Sequence, residues 1–125
     1  MVLRSAFGCR SSGQVLLAHQ PSSYINAFLQ RGLEQYTSRT ITDPAALLKR
    51  LERIKEQGFS FCEEEMHEGA SSLSAPVRNR KGQVTACVTL AGPMQRINQY
   101  TAAKLVKLLI QTANKISKQL DCAGR

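Results

Sequence analysis

The order of patterns along the chain predicts an α+β fold, with an antiparallel sheet flanked by helices. Three observations carry this. Apolar residues recur at helical spacing in the first half of the chain and again near its end. Two runs of alternating residues, Ala70 to Val77 and Gln83 to Ala91, lie between them. The segment Arg78-Asn-Arg-Lys-Gly82 joins those runs as a hairpin with a turn glycine. Three helices, then three strands, then a helix is a segregated order, which fits α+β rather than an interleaved parallel sheet.

Each element follows from local chemistry. Met1 to Cys9 is short and mildly apolar, and reads as a strand that lacks a partner. Ser11 and Ser12 precede Gly13-Gln-Val-Leu-Leu-Ala18, a helix with a serine N-cap. Pro21-Ser-Ser23 opens a second helix through Ile25, Phe28 and Leu29, stopping near Gly32. A polar connector, Gln35 to Thr42, leads to the best-marked helix. Asp43 caps it, Pro44 takes its first position and Gly58 ends it. Leu47, Leu48, Leu51 and Ile54 form its apolar stripe, with Lys49, Arg50, Arg53 and Glu56 off that stripe in solvent.

Phe59-Ser-Phe61 starts a strand that runs into the acidic Glu63-Glu-Glu65, read as a solvated edge. Gly92-Pro93 ends the last strand. A long amphipathic helix follows, with Ala102, Leu105, Val106, Leu109, Ala113, Ile116 and Leu120 on one side. Three strands are few for this many helices. A partner subunit completing the sheet, or the loss of upstream strands, would account for that.

Composition narrows the function classes. The chain has 125 residues, enough for one domain, and 42% are hydrophobic, too many for a disordered segment. No apolar run approaches the roughly 20 residues that cross a bilayer, and no signal peptide is visible, so a cytoplasmic location is expected. The net charge of +8 admits nucleic acid as a partner, but the basic groups are not interleaved with aromatics as in a single-strand platform. A helix-turn-helix needs a turn of about 3–4 residues, whereas Gly32 to Asp43 separates the candidate helices.

Enzyme chemistry finds no support: no serine has a plausible base, and His19 lies just past a helix end. Cys9, Cys62, Cys87 and Cys122 are widely spaced with no paired ligands, so they read as reduced thiols, Cys87 as a small core residue. Cys62 and His67 do not have ligand spacing, and neither metal nor cofactor is expected.

The hairpin is the informative element. Leu73, Ala75 and Val77 share a face with Val84, Ala86, Val88 and Leu90, which is plainly apolar. The other face carries Ser72, Ser74, Pro76, Thr85, Cys87, Thr89 and Ala91: small, uncharged and rich in hydroxyls. Such a face suits the lining of a small-molecule pocket, and equally a sheet under a closely packed helix.

Several motifs in unbroken order carry a resemblance. They are Ser12-Gly-Gln-Val-Leu-Leu-Ala18, Gly32-Leu-Glu-Gln-Tyr-Thr37 with Thr40-Ile-Thr-Asp-Pro44, and Gly58-Phe-Ser-Phe61 with Glu63-Glu-Glu65 and Gly69. Ala75-Pro-Val77 and Gly82-Gln-Val-Thr-Ala86, running on to Ala91-Gly-Pro93, complete the set. The chain resembles the C-terminal effector-binding domain of the IclR family of bacterial transcriptional regulators.

The resemblance implies a GAF-like domain that binds a small organic acid. It also implies a dimer or tetramer that reaches operator DNA through an N-terminal winged helix-turn-helix. Against that family, the chain begins within the effector domain, as a truncated regulator lacking the DNA-binding domain and the first strands would. By position, the implied effector site is Ser11, Ser12, Cys62, Ser72, Thr89 and Ala91. Cys62 stands where some members carry an acid, Ser72 where some carry Cys, and Ala91 replaces a hydroxyl. The alternatives are a ligand-free oligomerisation module and a non-specific nucleic-acid binder.

Overall fold

The structure, a computed structural model, describes residues 10–122. The strand expected over Met1 to Cys9 lies outside the described residues, as does the side chain of Cys122. In order, the elements are α1 (Ser11–Ala18), α2 (Ser22–Gln30), α3 (Pro44–Gln57), β1 (Ser60–Glu63), β2 (Ala70–Arg78), β3 (Val84–Pro93) and α4 (Ala102–Cys122). The sheet is antiparallel in the order β1-β2-β3, so the α+β expectation holds. β3 runs through Gly92 to Pro93 instead of ending before them, because Ala70 pairs with Pro93.

Register sets the two faces. Ser60 lies opposite Ser74 and Cys62 opposite Ser72, while Ser72 faces Ala91 and Ser74 faces Thr89. Side chains alternate along a strand, so Ser60, Cys62, Ser72, Ser74, Thr89 and Ala91 share one side. Leu73, Ala75 and Val77 take the other and pack with Ile97, Val106, Leu109 and Ala113 under α4. Leu90 and Ala86 belong to this apolar side but remain exposed, since β3 pairs only with β2 among the described residues.

The polar side of the sheet is covered by α1, which in turn contacts α3. Val15, Leu17, Ala18, Phe28, Leu47, Leu51 and Ile54 form a second apolar cluster there. Cys87 packs only half-buried against its margin, not within it. The helix α3 has the expected ends. Asp43 Oδ1 accepts from the Ala45 N–H, and Gly58 adopts φ +85° while its N–H donates to the Ile54 carbonyl at 2.9 Å. A Cβ at Gly58 would meet nothing within 4 Å, so the glycine is there for its left-handed backbone.

Two local expectations fail, each for a reason of packing. Leu48 is 37% exposed because it sits about 100° around the helix from Leu47, outside the arc that α1 covers. Arg10, not a serine, holds the N-cap position of α1, and Ser11 is its first helical residue. The polar connector Gln35 to Thr42 is anchored by two threonines. Thr37 and Thr40 are buried, and their hydroxyls donate to the carbonyls of Glu64 and Glu65.

Candidate functional site

The N-terminus of α1 meets the polar face of the sheet. Ser11 is released from capping because its hydroxyl is taken by the sheet: Ser11 Oγ lies 2.7 Å from Ser72 Oγ and 2.8 Å from Ser74 Oγ. Ser74 Oγ in turn lies 2.8 Å from Thr89 Oγ1. The hydroxyl face therefore makes a continuous chain of short hydrogen bonds that fixes the helix end to two strands. No side chain caps α1, and its first intrahelical bond runs from the Gln14 N–H to the Arg10 carbonyl. The amides ahead of Gln14 have no acceptor within the helix, and the helix dipole makes this end attractive to anions.

Beside this contact lies a cavity of about 430 Å³, lined by Ser11, Ser12, Cys62, Ser72, Thr89 and Ala91 together. All six residues picked out from the sequence thus share one hollow. Helix cover and open space coexist on this face: α1 closes it over Ser74 and leaves the cavity at Ser72 and Thr89. Arg10, Glu65, Met66 and His67 also line it, beside Ala70, Ser71 and Gly92, and sequence reasoning named none of these seven as site residues. A wider hollow of about 640 Å³ lies between α3, β1 and α4, against Arg50, Arg53, Phe59 and Phe61. It contains none of the six residues.

Behind the cavity wall is a buried polar cluster. Glu65 is only 5% exposed, which corrects its reading as part of a solvated acidic edge. Its Oε2 accepts from Arg50 Nη1 at 2.9 Å and its Oε1 from Gln14 Nε2 at 3.1 Å. Arg50 is correspondingly not a solvated arginine. The Gln14 side-chain oxygen also accepts from Ser60 Oγ at 3.0 Å, from Cys62 Sγ at 3.3 Å and from Arg50 at 3.3 Å. One sequence signal was available for this cluster: Gln14 is a large polar residue directly before the apolar run Val15-Leu-Leu-Ala18 in the same short helix.

Burial and the neighbouring Glu65 carboxylate push the Cys62 thiol well above its ordinary pKa, so it stays protonated at the wall. It therefore adds no negative charge to the cavity. Cys62 and Cys87 are both free thiols. Among the described residues, no group of three or more His, Cys, Asp or Glu is placed to hold a metal ion. No described helix is long and apolar enough to cross a membrane.

An α+β domain with an uncapped helix end over a hydroxyl-lined cavity has the form of a small-molecule regulatory domain, and comparison with known proteins specifies the family. Residues 4–118 match the family described as "Bacterial transcriptional regulator IclR C-terminal". The chain belongs to the IclR family, within its C-terminal domain. It is 36% identical over 110 residues to the HTH-type transcriptional regulator KdgR of Escherichia coli (strain K12), covering 86% of this chain and 41% of KdgR.

Among solved structures, a transcriptional regulator from Rhodococcus sp. RHA1 superposes with a TM-score of 0.91 at 28% identity. The match covers 95% of this chain and 48% of that one. The inducer-binding domain of PobR from Acinetobacter, solved as a double mutant with 3-hydroxybenzoic acid, gives 0.83 at 26% identity, covering 89% and 65%. The chain spans less than half the length of the curated relatives it matches. Those relatives are named as regulators and repressors of transcription.

Proposed function

We propose that this domain senses a small organic acid, bound in the 430 Å³ cavity with its carboxylate at the N-terminus of α1. The convergence of Ser11, Ser12, Cys62, Ser72, Thr89 and Ala91 on one hollow carries the reading. The uncapped helix end and Arg10 supply positive potential, and the serine and threonine hydroxyls supply donors. The acid-bound inducer domain of PobR, on the same fold, supports it.

The proposal extends to the intact regulator. An acid favouring one arrangement of α1 over another shifts the population of that arrangement, and with it the affinity of a linked winged helix-turn-helix for operator DNA. The working unit is a cytoplasmic homodimer or tetramer. Exposed apolar surface at Leu108 on α4 and at Tyr100 just before it suits subunit contact.

A thermal-shift screen over small carboxylic acids tests the binding step. At about 100 times its dissociation constant a ligand stabilises by about 2.7 kcal/mol, a rise of about ten degrees. Ser72→Leu and Ala91→Leu both fill the cavity and are expected to abolish that rise. Ala91 lies on the exposed β3, so its variant keeps the fold and isolates the effect on binding. A wild-type melt that no acid raises would falsify the reading.

A further inference from the structure

Charge is unevenly divided along the chain. Residues 69–120, which hold β2, β3 and most of α4, carry eight Lys and Arg and no Asp or Glu. They account for the whole net charge of +8, because the remaining residues balance nine bases against nine acids. All eight of these basic residues are exposed. Half of them are ordered by α4. At about 100° per residue, Lys104, Lys107, Lys115 and Lys118 fall within an arc of about 80°, opposite the buried Val106, Leu109 and Ala113. The stripe is about 21 Å long.

A solvated helix face ordinarily mixes signs, as α3 does with Lys49, Glu52, Arg53 and Glu56. The α4 stripe does not. Lys104 and Lys107 are neighbours on the helix surface, as are Lys115 and Lys118, so like charges repel there. Asp121, three positions past Lys118, is the one acid in α4. The β2–β3 hairpin adds to the charge. The Arg78 N–H donates to Ser117 Oγ at 3.0 Å, which brings the tip bearing Arg78, Arg80 and Lys81 to the Lys118 end of the stripe.

We infer that this basic face is a sequence-independent contact for the phosphate backbone of duplex DNA. For a domain of a transcriptional regulator, duplex DNA is the polyanion at hand. Lysine ammonium groups act as point charges and lack the fork that arginine offers to a carboxylate or a guanine edge. A duplex alongside about 21 Å presents about a dozen phosphate charges. The stripe carries no aromatic residue on which unpaired bases could stack. Leu108 is the one large apolar side chain exposed on the described part of α4, too little to seat the helix in a lipid interface. The α4 face and the effector cavity lie on opposite sides of the sheet, so this inference does not rest on the organic-acid reading.

Fluorescence anisotropy tests it, with a labelled random-sequence duplex of about 20 base pairs titrated with the full chain from about 50 to about 200 mM salt. Binding is expected in the micromolar range at low salt, with log K falling against log salt at a slope of about −3 or steeper. Lys104→Gln, Lys107→Gln, Lys115→Gln and Lys118→Gln together should weaken low-salt binding at least about tenfold and flatten the slope by about 2 or more. The control removes the same charge elsewhere, through Arg31→Gln, Lys49→Gln, Arg53→Gln and Lys55→Gln, all exposed positions. It should stay within about threefold of wild type. Should the fourfold α4 variant fail to fold, the pairs Lys104→Gln/Lys107→Gln and Lys115→Gln/Lys118→Gln should each give about half the change in slope. Equal losses in the α4 and control variants would assign binding to net charge, and no binding at low salt would remove it altogether; either overturns the inference. So does tighter binding to phosphatidylserine vesicles than to the duplex. A salt-sensitive self-association in sedimentation that the α4 variant abolishes would overturn it in favour of a second copy.

Discussion

Arg50→Ala should destabilise the protein by about 3 kcal/mol, read as a lowered urea midpoint at unchanged slope. The substitution strands the Glu65 carboxylate, 5% exposed, without its cation, and it also removes one donor to Gln14. Stripping one partner from a buried pair costs about 3–5 kcal/mol, and the lower end applies because 28% of the Arg50 side chain reaches solvent. Arg39→Ala is the internal control. Its contacts with Glu63 and Glu64, at 3.0 and 3.4 Å, involve an arginine side chain that is 52% exposed, so the loss stays below about 1 kcal/mol. Equal effects of the two substitutions would show that the Arg50–Glu65 pair is as solvated as a surface bridge.

Leu47→Ala should cost about 2–5 kcal/mol. Leu47 has no exposed surface and packs in the cluster shared by Val15, Leu17, Leu51 and Ile54. The cost combines lost transfer energy with the cavity left behind. Leu47 lies outside the proposed effector cavity. The temperature rise produced by a binding acid should therefore persist in this variant, on a lower baseline. A loss below about 1 kcal/mol would mean that α1 and α3 close over the gap.

These two residues show which parts of the molecule sequence could and could not reveal. Leu47 was legible because helical periodicity and the Asp43-Pro44 start are local features, and the same holds for the two faces of the β2–β3 hairpin. Leu48 was misplaced because a periodic stripe gives direction without saying how wide the covering neighbour is. Arg50 and Glu65 were misread because their pairing joins a helix to a turn beyond the next strand, and no spacing rule reports such a contact.

Ser11 failed in the same way. A serine at a helix start is an N-cap by local preference, but here sheet hydroxyls 61 and 63 positions away outcompete the backbone amides for it. The six positions that the resemblance named do line one cavity. The charged wall was not legible, because Glu65 sits in an acidic run whose other members are partly exposed.

The members of that run also respond differently to the medium. Glu64 holds a left-handed backbone (φ 58°), and its carboxylate accepts from the Gly69 amide at 2.9 Å and from Arg39 at 3.4 Å. The segment bearing Met66 and His67 is thus pinned by charges that face water, whereas Glu65 one residue on is pinned by charges that mostly do not. Dissolved ions screen the former strongly and the latter weakly. Raised ionic strength is therefore expected to weaken the Arg39 contacts with Glu63 and Glu64 well before the Arg50–Glu65 pair.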